Sequence, residues 1–217
     1  MKPLRLFPSL YQRTGGALLL LGLCAMLPAC SLLGSKPQAS MNSYALDSGV
    51  DGVMPPAPAP APVGTRVLLV EQPSAAAGYD SKHMVYLRQP LSPEWFTQSS
   101  WVDTPARMLA PLMVQTLQGS GVFKAVVLAP SAARADLRLD TEIVRLQQSF
   151  LQVPSSVRFT LQVTLSDNRT HEVLAWRVLD VVQAATSEDA AGGSAAASAA
   201  VHAALQQLAG FVREQAH

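Results

Sequence analysis

The sequence predicts an α+β fold: a two-layer domain with a mixed, largely antiparallel sheet of about six or seven strands and two main helices packed on it. Three observations lead there. Val157, Phe159, Leu161, Val163 and Leu165 alternate with Arg158, Thr160, Gln162 and Thr164, the period-two pattern of a half-buried strand. Val201, Leu205, Leu208, Phe211 and Val212 share one helical face near the C-terminus. Thr104-Pro105 opens a second apolar stripe through Met108, Leu109, Leu112, Met113 and Leu117, with a capping residue followed by proline at the first helical position.

The elements follow in order. Residues 43–46 form a short strand candidate. The proline-alanine run at 54–64 breaks regular structure, favours polyproline II, and is expected to be a loop insertion. Residues 66–70 are nearly all apolar, as in a buried strand. Residues 74–80 are small and loop-like. Residues 83–88 make the next strand, with Val85 and Leu87 on one side and Met84, Tyr86 and Arg88 on the other, ended by Gln89-Pro90. Residues 91–101 are expected to be a loop carrying Trp95, Phe96 and Trp101.

Pro111 lies inside the first helical stripe, where a proline removes a backbone donor, so a kink or a late start is expected. Gly119-Ser120-Gly121 should stop that helix, and residues 122–128 give a short strand. Leu137 and Leu139 alternate in one phase, Val144 and Leu146 in the other, which predicts a bulge near Glu142 or Ile143. Asp167-Asn168 is expected to turn the clean strand into its partner at 173–184. Residues 187–194 are small and read as loose chain before the final helix.

The N-terminus is of a different kind. Lys2, Arg5 and Arg13 precede an apolar run of 11 residues from Ala17 to Leu27. That is too short for a membrane span, which needs about 20 residues, but it suits the apolar core of a signal peptide. Leu27-Pro28-Ala29-Cys30 resembles the lipobox of bacterial lipoproteins. Cys24 is the weaker candidate, because the branched Leu23 precedes it, whereas the small Ala29 precedes Cys30. This pattern divides the chain into a signal peptide at 1–29, a lipidated Cys30 with a flexible leash at 30–42, and a domain at 43–217. Three acyl chains on one cysteine would hold far more firmly than the marginal grip of one. The resemblance to lipoproteins of two-membraned bacteria, with Ser31 and Leu32 rather than an acid after the cysteine, implies the outer membrane on its periplasmic side.

Removing residues 1–29 from 217 leaves 188, and it lowers Lys plus Arg from 16 to 13 while Asp plus Glu stays at 15. A mature chain near −2 lacks the basic face that nucleic acid demands. With Cys24 removed and Cys30 acylated, no disulfide can form, and the apolar core must hold the domain together. His83, His171, His202 and His217 are scattered without metal spacing, and no GxSxG elbow is present. No cofactor, metal or catalytic constellation is expected, and the chain reads as a binding module.

The order of landmarks resembles the ABC-type transport auxiliary lipoproteins, which include the paraquat-inducible protein C group. They are Tyr44-Ala45-Leu46, residues 67–70, Tyr79-Asp80, Met84 to Arg88, Trp101 before the first helix, the turn at 119–123 and the alanine-rich last helix. The resemblance implies an accessory role beside an ATPase, a permease and a periplasmic MCE-domain protein, moving phospholipid or other apolar cargo. Trp95, Phe96, Tyr86 and Arg88 are candidates for contact with such a partner, either as a contact surface or as ordinary packing and solvated face. The alternative is a stand-alone periplasmic lipid carrier or lipoprotein chaperone. Both a monomer and a homo-oligomeric ring remain open.

Overall fold

The computed structural model describes residues 40–47 and 64–215; residues 1–29 expected as a signal peptide, Cys30 and nearly all of the proline-alanine run at 54–64 lie outside the described residues. The described elements are β1 (Asn42–Tyr44), β2 (Val67–Val70), β3 (Ser74–Ala75), β4 (His83–Gln89), β5 (Ser92–Trp101), α1 (Pro105–Gly119), β6 (Ala125–Leu128), β7 (Leu137–Ser149), β8 (Ser156–Asp167), β9 (Val173–Ala184) and α2 (Ala190–Gln215).

The sheet is built around β7. Along one edge β7 takes β2, β3 and β4 in succession, all parallel. Along the other edge it pairs antiparallel with β8, which pairs antiparallel with β9. β6 flanks β2, β5 flanks β4, and β1 lies parallel beside the end of β5. The parallel pairings are short and the longest ladders are antiparallel, so the sheet is mixed and open.

Both helices pack on one face. α2 lies over β8 and β9, and α1 lies against β6 and β2. Val157, Phe159, Leu161, Val163 and Leu165 meet Val201, Leu205, Leu208, Phe211 and Val212 in a continuous buried core. This is the pairing of a period-two row with a 3.6-period stripe that the sequence foretells. Within the described residues α2 is the one helix long and apolar enough to cross a membrane, and here its apolar face is buried on the sheet instead.

Several expectations need correction. The described strands number nine, because residues 92–101 are a strand and not a loop, and because Ser74–Ala75 pairs briefly with β7. β5 shows no alternation because most of it faces solvent beside β4 alone, and Pro93 is tolerated at that edge. α1 starts at Pro105 without delay, and Pro111 sits on its exposed side, where the lost donor faces water. Thr104 takes the extended cap conformation, yet its hydroxyl caps nothing. The β8–β9 connection is a five-residue loop rather than a tight turn. Asp167 organises it by accepting the amides of Arg169 (2.9 Å) and Thr170 (2.7 Å), with His171 at φ 62°. Residues 190–194 are already helical, because the Asp189 carboxylate accepts the Gly192 amide at 2.8 Å and starts α2 earlier than composition suggests.

Other expectations hold. The register slips between Ile143 and Arg145, one residue from the expected bulge. Gly121 at φ 68° ends the α1 region in the conformation glycine favours.

Candidate functional site

The β4–β5 hairpin carries the four candidate contact residues, and strand alternation sorts them. Tyr86 lies opposite Glu94 on β5 and Gln148 on β7, while Val85 lies opposite Trp95 and Gln147. Side chains alternate along a strand. Tyr86, Arg88 and Phe96 therefore share the helix-side face, and Trp95 belongs to the open face.

On the helix-side face the rings gather. Tyr86 and Phe96 are 4.7 Å apart, and Phe150 meets Tyr86 edge-on at 5.7 Å. The Arg88 guanidinium lies 5.4 Å from the Tyr86 ring centre and 5.8 Å from that of Phe150, within cation–π range. The Tyr86 hydroxyl donates to Glu94 Oε2 at 2.9 Å. That hydrogen bond to a carboxylate, with some burial, raises the phenol above its ordinary range. Phe150 completes the cluster. Its place just past the expected limits of a strand hid it from sequence reasoning.

Trp95 is 56% exposed on the other face and stacks on His83 at 5.3 Å. Trp101 is buried in the core at the start of the α1 segment. So the structure unites three of the four candidates and separates the fourth. Cys30 lies outside the described residues.

The open face is polar at its centre. Arg138 contacts Glu71 and Asp140. Arg158 reaches across to Asp180, which also accepts from Thr160. Those hydrogen bonds hold the Asp180 carboxyl down at about 2. The outer edge is different. Among the described residues β9 pairs with β8 alone, and Trp176, Val178 and Val182 stand exposed on it. An unpaired edge with apolar side chains is a natural template for another chain. β9 reads as an ordinary strand in the sequence, and only its position in the sheet reveals the edge.

At the end of the sheet where the hairpin turns, an open groove of about 670 Å³ is lined by Leu87, Leu91, Pro93, Leu151 and Val182, and also by Arg145 and Arg158. Between the sheet and α2 there is room for about 10 Å³, beside Phe96, Gln148 and Gly193. No group of three or more metal-ligating side chains occurs among the described residues.

The described residues thus form a mixed open sheet covered on one face by two helices, with aromatic and aliphatic side chains exposed on it. The family model for the ABC-type transport auxiliary lipoprotein component matches residues 44–210, and the chain belongs to that family. Protein XCC0632 from Xanthomonas campestris has a similar structure, at 24% identity and a TM-score of 0.68, covering 82% of this chain and 96% of that one. An uncharacterized protein aligns at 13% identity and a TM-score of 0.62, over 80% and 99%. Hypothetical protein CT253 from Chlamydia trachomatis aligns at 10% identity and a TM-score of 0.50, over 70% and 98%. At these identities the likenesses bear on the fold alone. No curated protein matches the chain by sequence.

Proposed function

We propose that this chain is a non-catalytic accessory component of an ABC-type transport system, anchored in the outer membrane by acylated Cys30. In this reading residues 1–29 are its signal peptide and residues 30–42 its leash. It works beside an MCE-domain periplasmic protein in moving phospholipid or similar apolar cargo between the two membranes. The observation that carries the reading is the family match over residues 44–210 behind the lipobox at Leu27 to Cys30. The β4–β5 hairpin is the proposed partner contact, with Tyr86, Arg88 and Phe96 on one face and Trp95 on the other.

The stand-alone carrier is disfavoured by volume. A space of about 10 Å³ between sheet and helix is of the size that admits a single water and no acyl chain. The larger groove is open and is lined in part by the charged Arg145 and Arg158.

Two measurements test the proposal. Cys30→Ala should abolish incorporation of a fatty-acid analogue, and any processed chain should leave the membrane fraction. Labelling that persists in the variant refutes the anchor. Purification of the wild type from membranes should recover an ATPase, a permease and an MCE-domain protein; their consistent absence refutes the accessory role.

A further inference from the structure

We infer that the β4–β5 and β7–β8 loop tips form a membrane-contact surface that rests on the same bilayer Cys30 enters. The inference depends on the anchoring reading above. It starts from Leu91. Gln89 pairs with Ser92, leaving Pro90 and Leu91 as a two-residue loop. Leu91 sits at φ 60° and is 97% exposed. Glycine or asparagine ordinarily takes such a position. A leucine there is unfavourable for the backbone and for hydration alike, and within the described chain its side chain gains no burial. Such an outlier points towards function.

The neighbouring loop repeats the pattern. Phe150 donates its amide to the Leu87 carbonyl at 2.8 Å, which sets the β7–β8 loop beside the hairpin. In that loop Val153 is 88% exposed, and Leu151 is exposed too. Residues 89–93 and 149–156 contain no charged side chain. Charges stand beside the tips rather than in them. Arg88 and Glu94 flank the hairpin. Glu188 is held by the Ser155 amide at 2.8 Å, and Asp189 by that of Gly192. Apolar tips without charges of their own, flanked by charged groups, are suited to the headgroup–acyl boundary, where apolar side chains enter and polar ones stay in water.

The chain direction selects a bilayer as the occupant. β1 runs parallel to β5, with Asn42 opposite Ser99. The N-terminal end of β1 therefore faces the hairpin-tip end of β5. From Ser99 to Ser92 is seven residues, about 23 Å at 3.3 Å each. Cys30 lies twelve residues before Asn42, a connection that reaches at most about 40 Å. The lipid and the tips can thus meet one surface together.

The test uses the full-length acylated protein reconstituted in phosphatidylethanolamine–phosphatidylglycerol vesicles. The mature chain has no free thiol once Cys24 is removed and Cys30 is acylated, so Gln152→Cys in the tip and Arg169→Cys in the opposite β8–β9 loop each take a single fluorophore. With acyl-chain nitroxide lipids, the label at 152 should be quenched and the one at 169 should not. Adding Leu91→Asp and Val153→Asp should abolish the quenching while the protein still floats with the vesicles. Equal lack of quenching at 152 and 169 in floating protein overturns the inference and leaves the anchor intact. A label at 152 shielded from iodide yet untouched by nitroxide lipid means a protein covers the tips, which also overturns it. Failure of the wild type to float refutes the anchor itself, and this inference with it.

Discussion

Two glycines in one helix should respond oppositely to the same substitution. Gly193 lies in the first turn of α2, pressed against Gln148 of β7, which is 3% exposed. Gln148 Nε2 donates to Ser155 Oγ at 3.0 Å, and its Oε1 has no partner among the described residues. A Cβ at position 193 would overlap the Gln148 amide. Because that amide is enclosed, it can yield only by giving up Ser155. Gly210, further along α2, has nothing within 4 Å of an added Cβ. Alanine gains about 0.8–1.0 kcal/mol over glycine in a helix interior, so Gly210→Ala should stabilise by up to about that amount. At 193 the gain is opposed by two buried polar groups left unpaired, at about 1–3 kcal/mol each. Gly193→Ala should therefore destabilise by about 1–5 kcal/mol. For a domain of this size that lowers the melting temperature by about 2–4 °C per kcal/mol. Urea and thermal unfolding of mature Cys30→Ala protein measure both variants. The Gly193→Ala penalty should also disappear in a Gln148→Ala background, as expected of residues in contact. If Gly193→Ala stabilises like Gly210→Ala, or keeps its penalty without Gln148, the close approach of α2 to β7 is refuted.

Leu208 is fully buried and Gln206 is exposed on the other side of α2. Leu208→Asp should unfold the domain, since an unpaired buried charge costs several kcal/mol of a total of about 5–15; Gln206→Asp should leave the circular-dichroism melt nearly unchanged, and equal melts would mean α2 is not docked. The Asp180 carboxyl, held near 2 by Arg158 and Thr160, lies below its ordinary value of 3.8. Its stabilisation is thus present above about pH 4 and lost as pH falls through 2. Both partners of the ion pair are more than a third exposed, so the contribution is at most about 1 kcal/mol. Asp180→Asn should flatten the pH dependence of stability between pH 4 and 2, and a wild-type advantage that grows towards pH 2 contradicts the assignment.

The parts of the fold legible in the sequence are those where one physical requirement dominates. β8 and α2 are each buried on one face, so their apolar periods are clean. The phase change in β7 exposed the bulge, because a one-residue insertion must move the apolar row to the other parity. β5 was illegible for the opposite reason. Much of it is paired on one side only and wet on both faces, so no burial disciplines its side chains. The start of α2 was hidden because glycine and serine read as loop, while the capping carboxylate of Asp189 and the tight fit against Gln148 make them helix. The candidate site was half legible. Tyr86, Phe96 and Arg88 drew notice as side chains, but which face each takes depends on the β4–β5 register, and Leu91 is notable only for its backbone angle.

The long elements also give the domain two unlike ends. α2 has 26 residues, about 39 Å at 1.5 Å each. β7 and β8 have 13 and 12 residues, about 40 Å at 3.3 Å each. This match lets one helix cover the long strands from end to end, and alanines at 196, 197, 200 and 204 let it lie close. At one end of that axis the β4–β5 and β7–β8 loops carry Leu91, Leu151 and Val153 and no charge of their own, with Glu188 and Asp189 in the loop beside them. At the other they carry Asp136, Asp167, Arg169 and Glu172. With the uncharged tips against the bilayer, the charged loops would stand about 40 Å out in the aqueous space. The exposed edge of β9 would then run between them along the membrane normal. That orientation leaves β9 open along its whole length to a protein approaching from the side. A partner that paired with β9 would be held upright against the same membrane without displacing the lipid anchor.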